Sequence, residues 1–357
     1  MNAADWRALA DSNAVPVTPA RTHSDARGLR VFALYFALYL FTLVDALTPF
    51  PIVIGLCFSA LNGLMIAMLF IVGHDGCHGA LVKGRQLNLW IARLCYIPLG
   101  HSVSLWRLSH NGLHHRRNNV RGIDPVWTPM SPEDYRAAPP ARRLLERTYR
   151  SAAGPLVYYY GAIWIPWMVL PLKAQARARW TRHLPDSLIA VLGFLSLVFG
   201  IGALGHWLVP ERPLWLVLTL GWAIPFAVWN YLAAASFYLN HTHPSIPWFA
   251  DESTWRTHRG AVRGTAHVTI PLADLLPLYA AAMAHPAHHD TAMTPAYDLP
   301  ENQAALEARR PQDATRYTLG VAEYRRIVRT CKLYDYRRMC WTDFAGNPTT
   351  ASHLPTD

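Results

Sequence analysis

Charged residues are scarce in this chain, and one long stretch has no basic residue at all. Asp, Glu, Lys and Arg together make up 16% of the 357 residues, whereas about 25% is typical of soluble domains. No Lys or Arg occurs between Arg30 and Lys83. A soluble enzyme does not expose so long an apolar stretch, so the composition indicates an integral membrane protein.

Cysteine pairs are also missing. The five cysteines are scattered and form no C-x-x-C pair, so neither a disulfide framework nor a zinc or rubredoxin module is indicated. No ferredoxin-type cysteine set, no glycine fingerprint for a flavin and no H-P-G-G haem motif occurs. The N-terminus lacks the short apolar core of a signal peptide, so we expect no cleaved leader.

Long apolar runs are what the chain has instead. A membrane-spanning helix needs about 20 apolar residues, and four runs reach that length: 30–49, 51–73, 187–209 and 213–239. A fifth run, 154–172, is shorter, is interrupted by Pro166 and Pro171, and is crowded with Trp and Tyr. Such a segment favours an interfacial or re-entrant helix.

Basic residues follow the positive-inside pattern rather than forming a nucleic-acid-binding patch. The formal net charge is +10, and eight of the basic residues lie between 140 and 182. The sequence therefore predicts an all-α integral membrane protein in which four transmembrane helices form two hairpins, with interfacial helices and a cytoplasmic, histidine-rich di-metal cap. We expect a cytoplasmic N-terminal segment (1–29), a membrane domain (30–294) and a cytoplasmic C-terminal tail (295–357).

Most of the seventeen histidines fall in four clusters. Residues four apart lie on one face of a helix, so H-x-x-x-H can offer two nitrogens to one metal ion. Eight to ten converging imidazoles exceed what one ion binds, and a pair of first-row metals, iron for oxygen chemistry, is the simplest interpretation. The clusters are His74 and His78; His110, His114 and His115; His241 and His243; and His285, His288 and His289.

Other interpretations stay open at this point. A single H-x-x-x-H at a membrane exit is commonly an interfacial polar pair. A metal transporter would place its ligands within the spans near the bilayer midplane, where this chain has almost no ionisable residue. A structural or receptor-like membrane protein with incidental histidines would bind no metal.

The motifs resemble those of the membrane-bound fatty acid desaturases, with their three histidine boxes. GHDGCHGAL is similar to the first box, HSVSLWRLSHNGLHH to the approach and second box, and GTAHVTIP followed by HPAHH to the third. The likeness is closest to bacterial and plant-type omega-6 (delta-12) acyl desaturases. It departs from them in the longer second box, H-x-x-x-H-H.

The resemblance implies a set of metal ligands. HTHPSIPWF is similar to the segment after the fourth span, so His241 is implied as a ninth ligand and His243 as a structural or outer residue. His267 matches a histidine of a similar G-T-x-H stretch. Asp75, Asp290, Asn118, Asn119 and Asp124 are candidates to accept the second N–H of a ligand imidazole. The implied ligands are His74, His78, His110, His114, His115, His241, His285, His288 and His289.

The resemblance also implies an activity. It is the O2-dependent dehydrogenation of an acyl-chain methylene pair by two non-haem iron ions, with a fatty acyl substrate linked to lipid, CoA or a carrier protein. An external electron carrier such as ferredoxin or cytochrome b5 with its reductase is implied, in a multi-pass membrane setting such as a bacterial inner membrane. A hydroxylase, acetylenase, carotenoid ketolase or alkane hydroxylase on the same scaffold is the alternative. Histidines outside the boxes, among them His101, His183 and His206, are expected at the surface or interface.

Overall fold

The computed structural model describes residues 24–271 and 273–354. Most of the predicted N-terminal segment (1–29), namely residues 1–23, lies outside these residues. The chain divides into two compact units. Unit 1 comprises Met1–Leu108, described from residue 24, and Trp164–Ala233; unit 2 comprises Ser109–Ile163 and Ala234–Asp357, described to residue 354.

Five helices among the described residues are long and apolar enough to cross a membrane. The predicted class, a helical integral membrane protein, is confirmed. The predicted count of four spans stays a prediction, because the fifth segment also qualifies by length and composition. That segment is α-helical at Gly154–Tyr158 and then π-helical at Tyr159–Val169, where Pro166 removes one backbone donor. The five helices are Asp25–Leu47, Ile52–His78, Gly154–Arg177, Trp180–Leu208 and Leu214–His241.

Unit 1 is built on two helical hairpins. Asp25–Leu47 and Ile52–His78 pack together, and Asn62 ties them by donating to the Tyr39 carbonyl and the Thr42 hydroxyl. The second hairpin begins with the helix Trp180–Leu208 and continues with the helix that starts at Leu214. Gly205 lies so close to the second of these helices that a Cβ added to Gly205 would be 2.2 Å from the Val217 side chain. The shorter helices of unit 1 are Arg85–Tyr96, Val103–Trp106, Ala174–Arg177 and the 3-10 turn Ile97–Leu99.

The Ile52–His78 helix determines where the first histidine box lies. Its 27 residues at 1.5 Å each give about 40 Å, which exceeds the roughly 30 Å hydrocarbon thickness. The helix ends at Gly79, whose φ of 73° is the left-handed conformation that glycine adopts without strain. His74 and His78 therefore occupy the last turns, beyond the length needed to span.

A cluster of aromatic rings in unit 1 corrects one expectation. His101 was expected at the surface, but it is buried and its ring stacks on Trp106, with Tyr96 and Trp229 edge-on to it. Burial lowers the pKa of His101 to about 3. His183 is also buried, whereas His206 is exposed as expected. The sequence misled here because a lone histidine beside apolar runs has no periodicity that marks it as core.

Unit 2 combines short helices with two small sheets. Strands β1 (Ala266–Thr269) and β2 (Thr315–Thr318) pair in parallel, with His267 opposite Arg316. Strands β3 (Leu333–Asp335) and β4 (Cys340–Thr342) pair antiparallel. Its α-helices, besides the ends of the long ones, are His115–Arg117, Pro132–Ala137, Pro140–Tyr149, Glu252–Thr257, Gly260–Arg263, Pro277–Ala282, His285–Asp290, Leu299–Arg309 and Val321–Thr330.

The C-terminal residues are a packed part of unit 2. Tyr334 and Trp341 are fully buried, and the Trp341 indole N–H donates to the carbonyls of His243 and Ile246 at 3.0 and 3.2 Å. Tyr334 donates its backbone N–H to the Met130 carbonyl. Although residues 295–357 look polar in the sequence, this segment packs against the turn that follows the Leu214–His241 helix and is hydrogen-bonded to it.

Candidate metal centre

The second histidine box lies on an unusual helix. Residues Arg107–His114 are π-helical, so backbone hydrogen bonds there run from i to i+5. His110 and His115, five residues apart, consequently meet on one face, and their Nε2 atoms are 3.0 Å apart. Single-turn π-helices inside α-helices occur frequently at functional sites.

The third box lies on the short helix His285–Asp290. Pro286 occupies its first turn, where a missing N–H costs nothing. His285, His288 and His289 stand at i, i+3 and i+4, so they share one face. All three are buried.

His241 is the last residue of the Leu214–His241 helix. Pro244 lies three residues further on, and the residue before a proline disfavours the α conformation. This favours an end of the helix near His241. The His241 ring is fully buried, and its Nδ1 faces the Gly264 carbonyl at 3.1 Å and the Asn119 side-chain oxygen at 3.2 Å. Because both neighbours accept, Nδ1 carries the proton and Nε2 presents its lone pair.

Four buried histidines of unit 2 form one candidate site. One nitrogen from each lies within 4.8 Å of the others, and the four are His114, His241, His285 and His289. The His285 Nε2 atom is 2.9 Å from the His241 Nε2 and 3.2 Å from the His289 Nε2. Because the His241 Nε2 has no proton and the His285 Nε2 can either donate one N–H or offer one lone pair, these two contacts cannot both be ordinary hydrogen bonds.

A cation among these nitrogens resolves that conflict. The Nε2 of His114 and the Nδ1 of His289 are buried without a hydrogen-bond partner among the described residues. Burial and the neighbouring His115 and His285 hold the pKa of His289 well below its usual range, so the ring is neutral and can donate a lone pair. A set of neutral imidazoles suits first-row transition metals, including iron.

A second group in unit 2 consists of His110, His115 and His288, whose ligand nitrogens also lie within 4.8 Å of one another. The His115 and His288 ring centroids are 4.5 Å apart and the His110 and His288 rings are stacked. Unit 2 thus collects seven of the nine histidines predicted as ligands. In unit 1 the His74 and His78 rings lie 4.6 Å apart.

Three predicted outer partners contact ligand candidates. Asp124 is fully buried and its Oδ1 accepts from the His114 Nδ1 at 2.9 Å; Asn119 contacts His241 as described. This arrangement fixes the tautomer and directs the other nitrogen at the cluster. Asp75 Oδ1 lies 3.4 Å from His74 Nδ1.

Other predicted outer residues have different partners. Asn118 donates to the Gly260 carbonyl and accepts from the Trp255 indole N–H. Asp290 faces Arg309 at 3.7 Å. Neither contact involves a ligand candidate.

His243 lies outside both groups. Its Nδ1 accepts from the Ser245 backbone N–H, and its Nε2 is 3.1 Å from Glu323 and 2.9 Å from Arg326. The ring stacks on Tyr317, and burial lowers its pKa to about 4. Both nitrogens of His243 are engaged, and through Glu323 and Arg326 the ring contacts the Val321–Thr330 helix.

Sequence reasoning missed the Gly264 carbonyl, Gln303 and Glu307. These groups contact His241 or the surroundings of the third box. A backbone carbonyl leaves no trace in the sequence. In the sequence, Gln303 and Glu307 are only two polar residues four apart in a predicted polar segment. The sequence does not indicate which other segments they contact.

Comparison with known proteins supplies independent evidence. The profile of the fatty acid desaturase family matches residues 49–320. The chain is 27% identical over 274 residues to an sn-1 oleoyl-lipid 12-desaturase of Synechocystis sp., covering 77% of this chain and 74% of that protein. An sn-1 acyl-lipid omega-3 desaturase (ferredoxin) of Synechocystis sp. is 26% identical over 261 residues, covering 71% of this chain and 67% of that protein.

Plant proteins match a similar region. The chloroplastic omega-6 fatty acid desaturase of Arabidopsis thaliana is 24% identical over 282 residues, covering 77% of this chain. The matched region spans 58% of that relative's length, and 59% of the corresponding Brassica napus protein. The family match covers well over half of the chain and includes all three histidine boxes, so the chain belongs to the fatty acid desaturase family.

Proposed function

We propose that this protein is a membrane-bound acyl-lipid desaturase that uses O2 and two iron ions to introduce a double bond into a fatty acyl chain. The observation that carries the proposal is the convergence in unit 2 of seven buried or half-buried histidines from distant segments, as two groups whose ligand nitrogens lie close together. The relatives named acyl-lipid desaturases support the substrate class.

One iron site comprises His114, His241, His285 and His289. The other comprises His110, His115 and His288 of unit 2. His74 and His78 are proposed as further metal ligands, supported by their i, i+4 spacing and by the resemblance of the first box. Iron held at these sites would supply the oxygen-activating redox chemistry needed to remove two hydrogens from adjacent methylenes. In balance, one CH2–CH2 unit, O2, two electrons and two protons yield one CH=CH unit and two waters.

The chain's own residues hold and shield this site. Asp124, Asn119 and the Gly264 carbonyl orient the imidazoles. Burial of the His114, His241, His285 and His289 group would exclude bulk water from a metal ion held there. Selectivity for one bond of a flexible acyl chain depends on holding that bond beside the metals.

Topology follows from the site as part of the proposal. Ligands of one metal ion must lie on the same side of the membrane, so the number of crossings between His114 and His241 is even. Three apolar helices lie between them. The π-helical, proline-interrupted Gly154–Arg177 segment is the one that we propose not to cross, which leaves four spans with the histidine boxes and both termini in the cytoplasm.

The electrons come from a separate carrier, because the chain has no haem, flavin or ferredoxin motif. One relative is named for ferredoxin. Arg310 and Arg325 of unit 2 are exposed and make no ion pair within the described residues. Uncompensated cations of this kind steer an acidic carrier by long-range attraction.

The test is product analysis with the purified chain, an oleoyl-bearing lipid, O2 and reduced ferredoxin. We expect an acyl product lighter by two hydrogens, and no product when ferredoxin or O2 is omitted. A product heavier by one oxygen would contradict desaturation and indicate a hydroxylase. No acyl oxidation with any carrier, in a sample containing iron, would overturn the proposal.

A further inference from the structure

A chain of hydrogen bonds in unit 2 leads to the helix that carries the third histidine box. His267 of strand β1 contacts the Glu307 Oε1 through Nδ1 at 2.6 Å. The Gln303 amide donates to the same Oε1 at 2.9 Å. The Gln303 side-chain oxygen then accepts from the Ala287 backbone N–H at 2.9 Å. We call these three side chains, His267, Glu307 and Gln303, the relay.

Ala287 lies in the first turn of the His285–Asp290 helix. The first N–H groups of a helix have no partner within it, and Ala284, the residue that precedes this helix, provides no side-chain cap. Gln303 therefore supplies the missing acceptor from another helix, at a position that is 1% exposed. His288 and His289 are one and two residues beyond the N–H that it holds, and His285 is two residues before it.

The relay leaves Gln303 one orientation. Its NH2 group must face the Glu307 carboxylate, so its oxygen must face Ala287. Glu307 is itself held by two donors at Oε1 and by Arg316, 3.5 Å from Oε2. Strand β1 is joined to the same region by its backbone, since the Val268 N–H donates to the Met283 carbonyl and His267 bridges to Ala284.

We infer that His267, Glu307 and Gln303 are positioning residues that hold the third-box helix so that His285, His288 and His289 point at the metal sites. The inference rests on the proposed metal centre. It assigns His267 no contact with metal: its Nδ1 is committed to Glu307, and the ring acts through two further side chains.

The experiment measures Co²⁺ affinity of the metal-free, full-length protein in detergent by titration of the cobalt absorption bands. Gln303→Glu keeps an acceptor for Ala287 but sets two carboxylates against each other at Glu307. We expect Co²⁺ binding weaker by about 10- to 100-fold, the usual cost of losing an outer partner of a metal site.

The rescue variant combines Gln303→Glu with Glu307→Gln. The new amide at position 307 can donate one N–H to the new carboxylate at 303 and one to the His267 Nδ1, which reverses the relay without breaking it. We expect this double variant to recover most of the lost affinity. Gln303→Met, which removes the cap without adding charge, should also bind Co²⁺ more weakly than the wild type.

Asn302→Asp is the matched control. It makes the same amide-to-carboxylate change one residue away, where Asn302 contacts the Thr294 hydroxyl instead of the relay. We expect its Co²⁺ affinity to equal that of the wild type. Wild-type affinity in Gln303→Glu, or no recovery in the double variant, would overturn the inference. A wild-type protein that binds no Co²⁺ would instead contradict the proposed metal centre.

Discussion

At the scale of single residues, the second nitrogen of each imidazole separates ligand candidates from other histidines. His114 and His241 each commit Nδ1 to an outer acceptor and turn Nε2 to the cluster, whereas His243 has both nitrogens engaged elsewhere. The sequence predicts the boxes from spacing and resemblance. It does not predict these pairings in full, because contacts such as His241 with Gly264 form only when distant segments pack.

Asp124 tests this tautomer control. It accepts from the His114 ring and from the backbone N–H groups of Asn119 and Val126. Asp124→Asn puts an amide NH2 against one of these donors, and we expect metal affinity to fall by about 10- to 100-fold, measured as bound metal over a titration. Asp134→Asn, at an exposed carboxylate paired with Arg121, should bind metal like the wild type. Unchanged affinity in Asp124→Asn would refute its orienting role.

His101 is a second test at this scale, because its burial overturns the expectation of a silent surface histidine. His101→Ala opens a cavity among Trp106, Tyr96 and Trp229. We expect a loss of about 2–4 kcal/mol, as for other large-to-small changes in a core, seen as a lower melting temperature in detergent. His206→Ala, at an exposed position, should melt like the wild type. Equal melting of the two variants would contradict the packing.

At the scale of elements, helical periodicity accounts for only part of the site. Spacings of three and four place His285, His288 and His289 on one face, as the sequence predicts. The spacing of five between His110 and His115 works only because Arg107–His114 is π-helical. No residue pattern predicts a π-helix, so the pairing of residues five apart on one helix face is seen only in the structure.

The packing of the C-terminal segment is likewise not predicted from the sequence, because its many polar residues suggest a solvated tail although Tyr334 and Trp341 are buried. Trp341→Phe keeps most of the packing but leaves the Ile246 carbonyl without its indole donor, whereas the His243 carbonyl still accepts from the Ile246 backbone N–H. Leaving a buried acceptor unsatisfied costs about 1–3 kcal/mol, so we expect a lower melting temperature. Trp207→Phe, at an exposed ring, is the control. If both variants melt alike, the indole hydrogen bonds contribute nothing measurable.

At the scale of the whole molecule, the number of membrane crossings stays a prediction, and the proposed metal site restricts which numbers are allowed. Composition alone predicts apolar helices, and five qualify. The meeting of His114 with His241 in unit 2 favours an even number of crossings between them.

Single cysteines that replace Lys173 and Glu211 test this topology, in a background where the exposed Cys57 is replaced by serine. We expect an impermeant thiol reagent to label the two positions from opposite sides of the membrane. Labelling of both from the same side would contradict the four-span arrangement.

The central claim, that two groups of histidines hold a pair of iron ions, is tested most directly by counting metal in the purified full-length protein. Elemental analysis against protein concentration should find close to two iron ions per chain, and His114→Ala should lose iron while still inserting in the membrane. Purified wild-type protein that inserts and folds but contains no iron after reconstitution with Fe²⁺, or holds zinc in its place, would contradict the account.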